Sequence, residues 1–366
     1  MLTRFDDYLV HQTAEPVAHP GTGDRNYYDR FFFNGFSREG DLYFGVALGL
    51  YPNRRVMDAA FSVVRGGVQY ALRASRLAPV EREETRVGPI TVEVVEPLST
   101  LRVRVEQNET GLEADLLFRA RTAPLEEPRF TYRVDGRLLM DLTRLTQFGS
   151  WEGSLTVDGE TLRLEPSRVL GVRDRSWGIR PVGEPEAGAP GMPPQFFWLW
   201  APVHFDEVCT HFDVNEDSGG RRWHAAGCIA GVGETGPLEA VPAVEHRIRW
   251  QPGTRRVAAA EIVLTPHRSE PWVITLEPIL TFQMRGLGYL DPEWGHGVWK
   301  GPAALAGDTW RLAELDPMDP RHLHVQQLCR ARSGSRVGIG VLEQMVIGPH
   351  APSGFSSLLD PAGARP

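Results

Sequence analysis

Short alternating runs broken by two-residue turns recur along most of this chain, and they leave little room for anything but antiparallel sheet. Leu101-Arg102-Val103-Arg104-Val105-Glu106 alternates apolar and charged residues, the period of a strand with one buried face. Asp158-Gly159 stands between Leu155-Thr156-Val157 and Thr161-Leu162-Arg163-Leu164, where a type I′ turn needs residues that accept positive φ. Val64-Arg65-Gly66-Gly67-Val68 carries the same signal, and Asp41 to Tyr51 reads as a strand that stops at Pro52-Asn53. Strands at roughly 8–12-residue spacing, with hardly any helical periodicity, predict an all-β antiparallel barrel or sandwich.

The pattern is interrupted once. Residues 181 to 194 hold prolines at 181, 185, 190, 193 and 194 and glycines at 183, 188 and 191, a composition that suits neither a helix nor a central strand. A length of 366 residues is enough for two domains. The expected organisation is an N-terminal extension (1–25) with at most one short helix, a first β unit (26–180), a linker (181–194), a second β unit (195–350) and a frayed tail (351–366). Two octapeptides also share the pattern G-x-x-D-x-x-W-G, Gly171 to Gly178 and Gly288 to Gly295, at an offset of 117 residues. Because the match includes Trp177 and Trp294, it predicts two related structural units.

Composition narrows the function. With 47 acidic and 39 basic residues the net charge is -8, so no global basic field attracts nucleic acid or anionic lipid. Lys300 is the only lysine and precedes Gly301, which rules out a P-loop and leaves one residue for Schiff-base chemistry. No strand-GxGxxG-helix pattern supports a dinucleotide, and no G-x-S-x-G marks a serine nucleophile. Cys209, Cys228 and Cys329 lack metal or disulfide spacing. With no signal-peptide pattern and no apolar run near ~18 residues, a soluble cytoplasmic protein without a membrane segment is expected.

The motif surroundings carry a resemblance. Gly286, Gly288, Tyr289, Asp291, Trp294 and Gly295 match the G-x-G-Y-x-D-x-x-W-G signature of the AttH/CrtC superfamily, which includes the carotenoid 1,2-hydratases and the lipocalin-like Diels–Alderases. Asp29 to Gly35, Gly49 to Asn53 and Arg173 to Arg180 resemble an actinobacterial branch of that group. The resemblance covers roughly Asp24 to Pro349 and implies two consecutive lipocalin-like antiparallel β-barrel domains, with a ligand pocket at or near their interface. In the carotenoid hydratases a tyrosine and an aspartate of the signature are implicated in protonating an isoprenoid double bond; the resemblance puts them at Tyr289 and Asp291.

Protonating an alkene needs an acid that keeps its proton near neutral pH and aromatic faces that shield the resulting cation. Asp291 is the expected proton donor, oriented by Tyr289, with His296 as a candidate base. Trp294, Trp299, Trp198, Trp200 and Trp177 are candidate substrate-binding rings. A purely structural reading has Asp291 capping a turn and the Phe196 to Trp200 run packing a core. Asp174, among Arg173, Arg175 and Arg180, is expected to stay ionised as a clamp between barrels or as part of an anchor for an anionic substrate group. His211 with Asp213, and His322 with His324, could form a two-His-one-carboxylate metal site, but such short patterns arise by chance and no metal or other cofactor is expected. The sequence thus points to a cofactor-independent enzyme acting on an isoprenoid, steroid-like or polyketide compound by acid-catalysed hydration, cyclisation or isomerisation. The alternatives are a non-catalytic lipocalin-like carrier of a hydrophobic ligand and a metal-dependent oxygenase.

Overall fold

The computed structural model describes residues 1–185, 194–233 and 235–363. Among these the strands form two curled antiparallel sheets, a half-barrel and a partial ring, in a two-unit lipocalin-like fold. The first sheet begins as a meander of Tyr27–Ser37, Leu42–Tyr51, Val56–Arg65 and Val68–Leu77. Gly66 and Gly67 both take positive φ, 58° and 77°, as do Asp158 and Gly159 at 53° and 73°, so both hairpins turn with the twist of their strands. Val169–Ile179 lies between Tyr27–Ser37 and the long strand Arg137–Val157. In the second sheet Phe196–Trp200 lies between Val208–Glu216 and Arg336–Ile347, which in turn pairs with His324–Ser333.

Three of the apolar clusters follow from strand alternation. Phe33, Phe44 and Trp151 pack in the interior of the first unit, with ring centroids 5.3–5.7 Å apart and edge-on geometry. Phe197, Phe212 and Leu342 belong to the interior of the second. The opposite faces of the same strands, at Phe32, Tyr43, Phe148 and Trp200, meet between the two sheets together with Phe282 and Leu328. Leu42–Tyr51 is consequently buried at every position, the signature of a strand covered on both faces. Each such large side chain contributes roughly 1.5–3 kcal/mol when fully buried. Gly171 is required at its place: a Cβ there would stand 2.2 Å from Asn34 O and 2.4 Å from Trp151 Nε1, where the indole donates to Asn34 O at 2.9 Å.

The two octapeptides do not share a conformation. Gly171 to Gly178 lies within the strand Val169–Ile179, whereas Gly288 (φ 89°) caps the 3-10 turn Met284–Leu287 and the rest of its copy is turn and coil. The matching letters therefore do not mark equivalent places in two units. The segment carrying the second copy instead crosses to the first sheet. Gln69 Nε2 donates to Gln283 O at 2.8 Å, Gly297 N donates to Asp58 Oδ2 at 2.7 Å, and Ala303–Arg311 then pairs with Val68–Leu77. That pairing covers what would be an open edge strand, so residues 303–311, in the second half of the chain, complete the first sheet.

Of the expected linker, residues 186–193 lie outside the described residues. The tail, expected to be frayed, is held over its described part. Phe355 is buried in the second core, and Arg255 binds Asp360 at 2.7 Å and Gly348 O at 2.8 Å. Cys209, Cys228 and Cys329 are free and buried. No helix among the described residues is long and apolar enough to cross a membrane.

Candidate functional site

Three adjacent strands of the first sheet set the floor of a cavity by parity alone. Their register aligns Arg30 with Ser176 and Ser176 with Arg144, while Phe32 faces Asp174, so the even-numbered residues share the face turned toward the second sheet. Across the gap Met345 is paired with both Trp198 and His324. Where the sheets splay, these side chains enclose a cavity of about 140 Å³, with Phe130, Leu142 and Phe196 adding apolar wall. An outer cleft of about 540 Å³ adjoins it, and Tyr289, Arg180 and Met345 line both.

Asp174 is the titratable group that stands out. Among the described residues no hydrogen-bond donor or ion-pair partner reaches its carboxyl, and burial pushes it up to about 7, against the pull of Arg144 and Arg30. Its sequence neighbours do not help it, because alternation sends them to the other face. Arg173 Nε donates to Gln147 at 2.9 Å, and Arg175 pairs with Asp29 and covers the Phe31 ring at 4.3 Å. Of the arginines expected around Asp174, Arg173 and Arg175 thus face away from it. Trp177 shares the outward face and is 38% exposed.

Asp291 has the opposite environment. Its Oδ1 accepts from the Glu293 and Trp294 backbone N–H groups at 2.9 and 2.8 Å, an Asx-type turn, and its Oδ2 lies 3.1 Å from Arg285 Nε and 3.7 Å from Arg73. Burial alone would raise this carboxyl, but the backbone donors and the two arginines overcome it and hold it below its ordinary value. An acid held ionised cannot donate at neutral pH, so Asp291 caps the turn. Asp291→Ala should cost about 1–2 kcal/mol of stability at pH 7 by denaturant unfolding. Because the folded-state carboxyl is depressed, that contribution is present above roughly pH 4 and fades as pH falls through the lower folded value. A gap between wild type and variant that grew on acidification would rule out this role.

His324 faces the cavity with a prepared ring. Its Nε2 lies 2.5 Å from Glu343 Oε1, and since a carboxylate only accepts, Nε2 carries the proton and Nδ1 is the acceptor. Nδ1 is buried without a partner among the described residues. Glu343 is steadied by Gln326 Nε2 at 2.6 Å, and Gln326 accepts in turn from the Tyr43 hydroxyl. Tyr289 stands edge-on to His324 with centroids 4.6 Å apart. Beside this group lies a buried charge cluster. Arg144 binds Glu127 at 2.5–2.9 Å and also Asp213, Thr146 donates to Glu127 at 2.5 Å, and Trp198 Nε1 donates to Asp213 at 2.8 Å.

A model of a family of unknown function, DUF8625, matches residues 2–356. The chain belongs to that family. No curated protein sequence matches this DUF8625 chain. In structure it is similar to a protein assigned as AttH from Nitrosomonas europaea, at 12% identity and TM-score 0.52 over 87% of this chain and 92% of that one. It is similar also to kievitone hydratase from Nectria haematococca, at 16% identity and TM-score 0.51 over 87% and 88%. CghA, in a structure with Sch210972, matches at 12% identity and TM-score 0.52 over 88% and 89%. These neighbours give the DUF8625 chain the AttH/CrtC-like fold.

The structure divides the residues singled out in the sequence. Tyr289, Trp198 and Asp174 line the cavity. Trp200 is buried behind it against Phe32, Trp299 is 47% exposed, and Trp294 lies under Lys300 Nζ at 5.5 Å, so these rings do not wall the cavity. His296 borders the outer cleft, but its nitrogens are committed. Nε2 lies 2.9 Å from Leu287 O, Arg30 Nη1 stands 2.8 Å from both ring nitrogens, and Arg180 Nη2 is 3.0 Å from Nδ1. Burial, then the two arginines, hold it well below the usual histidine range, so it positions arginines rather than acting as a base.

The two-His-one-carboxylate set weighed in the sequence does not come together. Glu127, His211 and Asp213 offer ligand atoms within 4.8 Å of one another, whereas His322 turns to Asp316 O and His324 to Glu343. The positive charge between the two carboxylates is the Arg144 guanidinium. Sequence reasoning missed Arg30, Arg144, Glu127 and Glu343. The available signal was an arginine at an even position of a strand, Tyr27–Ser37, whose neighbouring even residues Tyr28 and Phe32 are aromatic.

Proposed function

We propose that this chain is an enzyme that acts on a hydrophobic small molecule by acid-catalysed hydration, cyclisation or isomerisation, with Asp174 in the role first expected of Asp291. The observation that carries the reading is a carboxyl raised to about 7 and left unpartnered on the wall of an aromatic-lined cavity. Asp174 gives its proton to the substrate, and His324 Nδ1, with Nε2 held by Glu343, takes one from the attacking water or from the substrate carbon. Trp198 and Phe130 supply flat apolar surface, and Tyr289, at the junction with the outer cleft, orients the bound molecule. Two proteins of similar fold support this reading by their names or contents: one is a hydratase, and the other was crystallised with the small molecule Sch210972.

The test is incubation of the purified protein with a panel of isoprenoid, steroid-like and polyketide-type compounds, followed by mass spectrometry. The expected result is a hydrated product or an isomer of unchanged mass. Tight retention of unaltered compound across the panel would make the protein a carrier instead.

A further inference from the structure

The cavity and cleft carry two guanidinium groups that no carboxylate among the described residues pairs with directly. Arg144 is paired with Glu127 and Asp213, but among the described residues no carboxylate lies within ion-pairing distance of Arg30 or Arg180. Both guanidinium groups are held instead by neutral partners. Arg30 lies 5.0 Å over the Tyr289 ring, with Nη1 at 2.8 Å from His296 and Nη2 at 3.5 Å from Leu287 O. Arg180 lies 4.6 Å over Tyr28 and 5.9 Å over Tyr289. Arg30 is only 2% exposed, yet its Nε has no hydrogen-bond partner. Asp58 and Asp174 act on Arg30 only from beyond ion-pairing distance, and a buried guanidinium with no directly paired carboxylate and an unpartnered Nε calls for an explanation.

We propose that the substrate is an amphipathic acid whose carboxylate, or similarly delocalised oxyanion, docks on Arg30 and Arg180 beside Tyr289 while its apolar body fills the inner cavity. This rests on the cavity being the substrate site, as argued above. The planar fork of arginine suits a two-oxygen anion, and the charge-assisted bonds would satisfy donors that the protein leaves open. His296 stands between the pair: both guanidinium groups lie within 3.0 Å of its ring, which burial and the arginines themselves keep neutral, so it holds two like charges near each other without cancelling either. The arrangement also selects among reactions. Positive charge building up on the substrate is disfavoured beside these guanidinium groups, whereas negative charge building up on a substrate oxygen is favoured. A carbonyl-bearing or acidic compound therefore fits better than a bare hydrocarbon.

The probes are 2-naphthoate and its neutral amide, titrated calorimetrically into the full-length protein at low salt. Wild type should bind the acid at least tenfold more tightly than the amide. Arg180→Gln and Arg30→Gln should each bring that ratio toward one while leaving amide affinity within about twofold. Arg180 is partly exposed, so its variant carries the test if Arg30→Gln does not fold. Equal binding of acid and amide by wild type, or a ratio that survives in Arg180→Gln, overturns the proposal. Asp174→Asn should leave the ratio intact, so failure of the anion site is read separately from failure of Asp174 as the proton donor.

Discussion

Asp174→Asn should lower turnover by roughly 10²–10⁴-fold, the usual contribution of a positioned proton donor, while ligand affinity changes little. The amide keeps the shape of the carboxyl but has no acidic proton to give. Since burial sets the Asp174 carboxyl at about 7, kcat/KM should hold at lower pH and decline as pH rises through about 7, with that limb absent from any residual activity of the variant. Stability separates this role from a structural one. The folded-state value is raised, so the stabilisation that Asp174 contributes is complete below about pH 4 and is lost as pH rises through 7. At pH 8 wild type carries a half-buried, unpaired charge that the variant lacks, and Asp174→Asn should be at least as stable by denaturant unfolding. Full turnover in the variant, or a marked loss of stability at pH 8, would remove Asp174 from the mechanism.

Arg144→Leu is expected to be the most destabilising single change near the site, by roughly 3–5 kcal/mol. The guanidinium is the shared partner of Glu127 and Asp213, whose side chains are fully buried. Removing it leaves two carboxylates facing each other in low dielectric. Burial alone would raise Asp213, but Arg144 and then His224 overcome it and hold the carboxyl below its ordinary range, so the loss falls directly on that group. Trp198 is tied to Asp213 through its indole N–H, so the cavity wall should loosen as well. Chemical unfolding at pH 7 measures the effect, and a cost under about 1 kcal/mol would mean that water or other groups already satisfy the pair.

Much of the fold was legible because its signals are local. The two-residue turns at Gly66-Gly67 and Asp158-Gly159 need positive φ, and the residues that accept it stand there. Likewise the run Phe196–Trp200 is a strand and places Trp198 on the cavity. The octapeptide repeat pointed to two units, which the fold has, but its copies are not equivalent places in them, because identical letters can serve a strand in one place and a turn in another. Gly171 makes room for Trp151, while Gly288 supplies a left-handed cap.

The aspartates mark the division most sharply. The sequence by itself determined that this chain forms antiparallel strands, where its tightest turns fall, and that Asp174 and Asp291 sit in matching contexts of letters. Only the tertiary structure decided which of the two carboxyls is pushed up and which is held down. A carboxyl's ionisation is set by the groups around it: strand parity turned Arg173 and Arg175 away from Asp174, while Asp291 is held by two backbone donors of its own turn, by Arg285 of the same segment and by Arg73 of the first sheet. The turn donors and Arg285 lie close to Asp291 in the chain and an Asx turn is readable there, but Arg73 comes from a distant strand, and the groups that surround Asp174 in the cavity meet only through the pairing of the sheets.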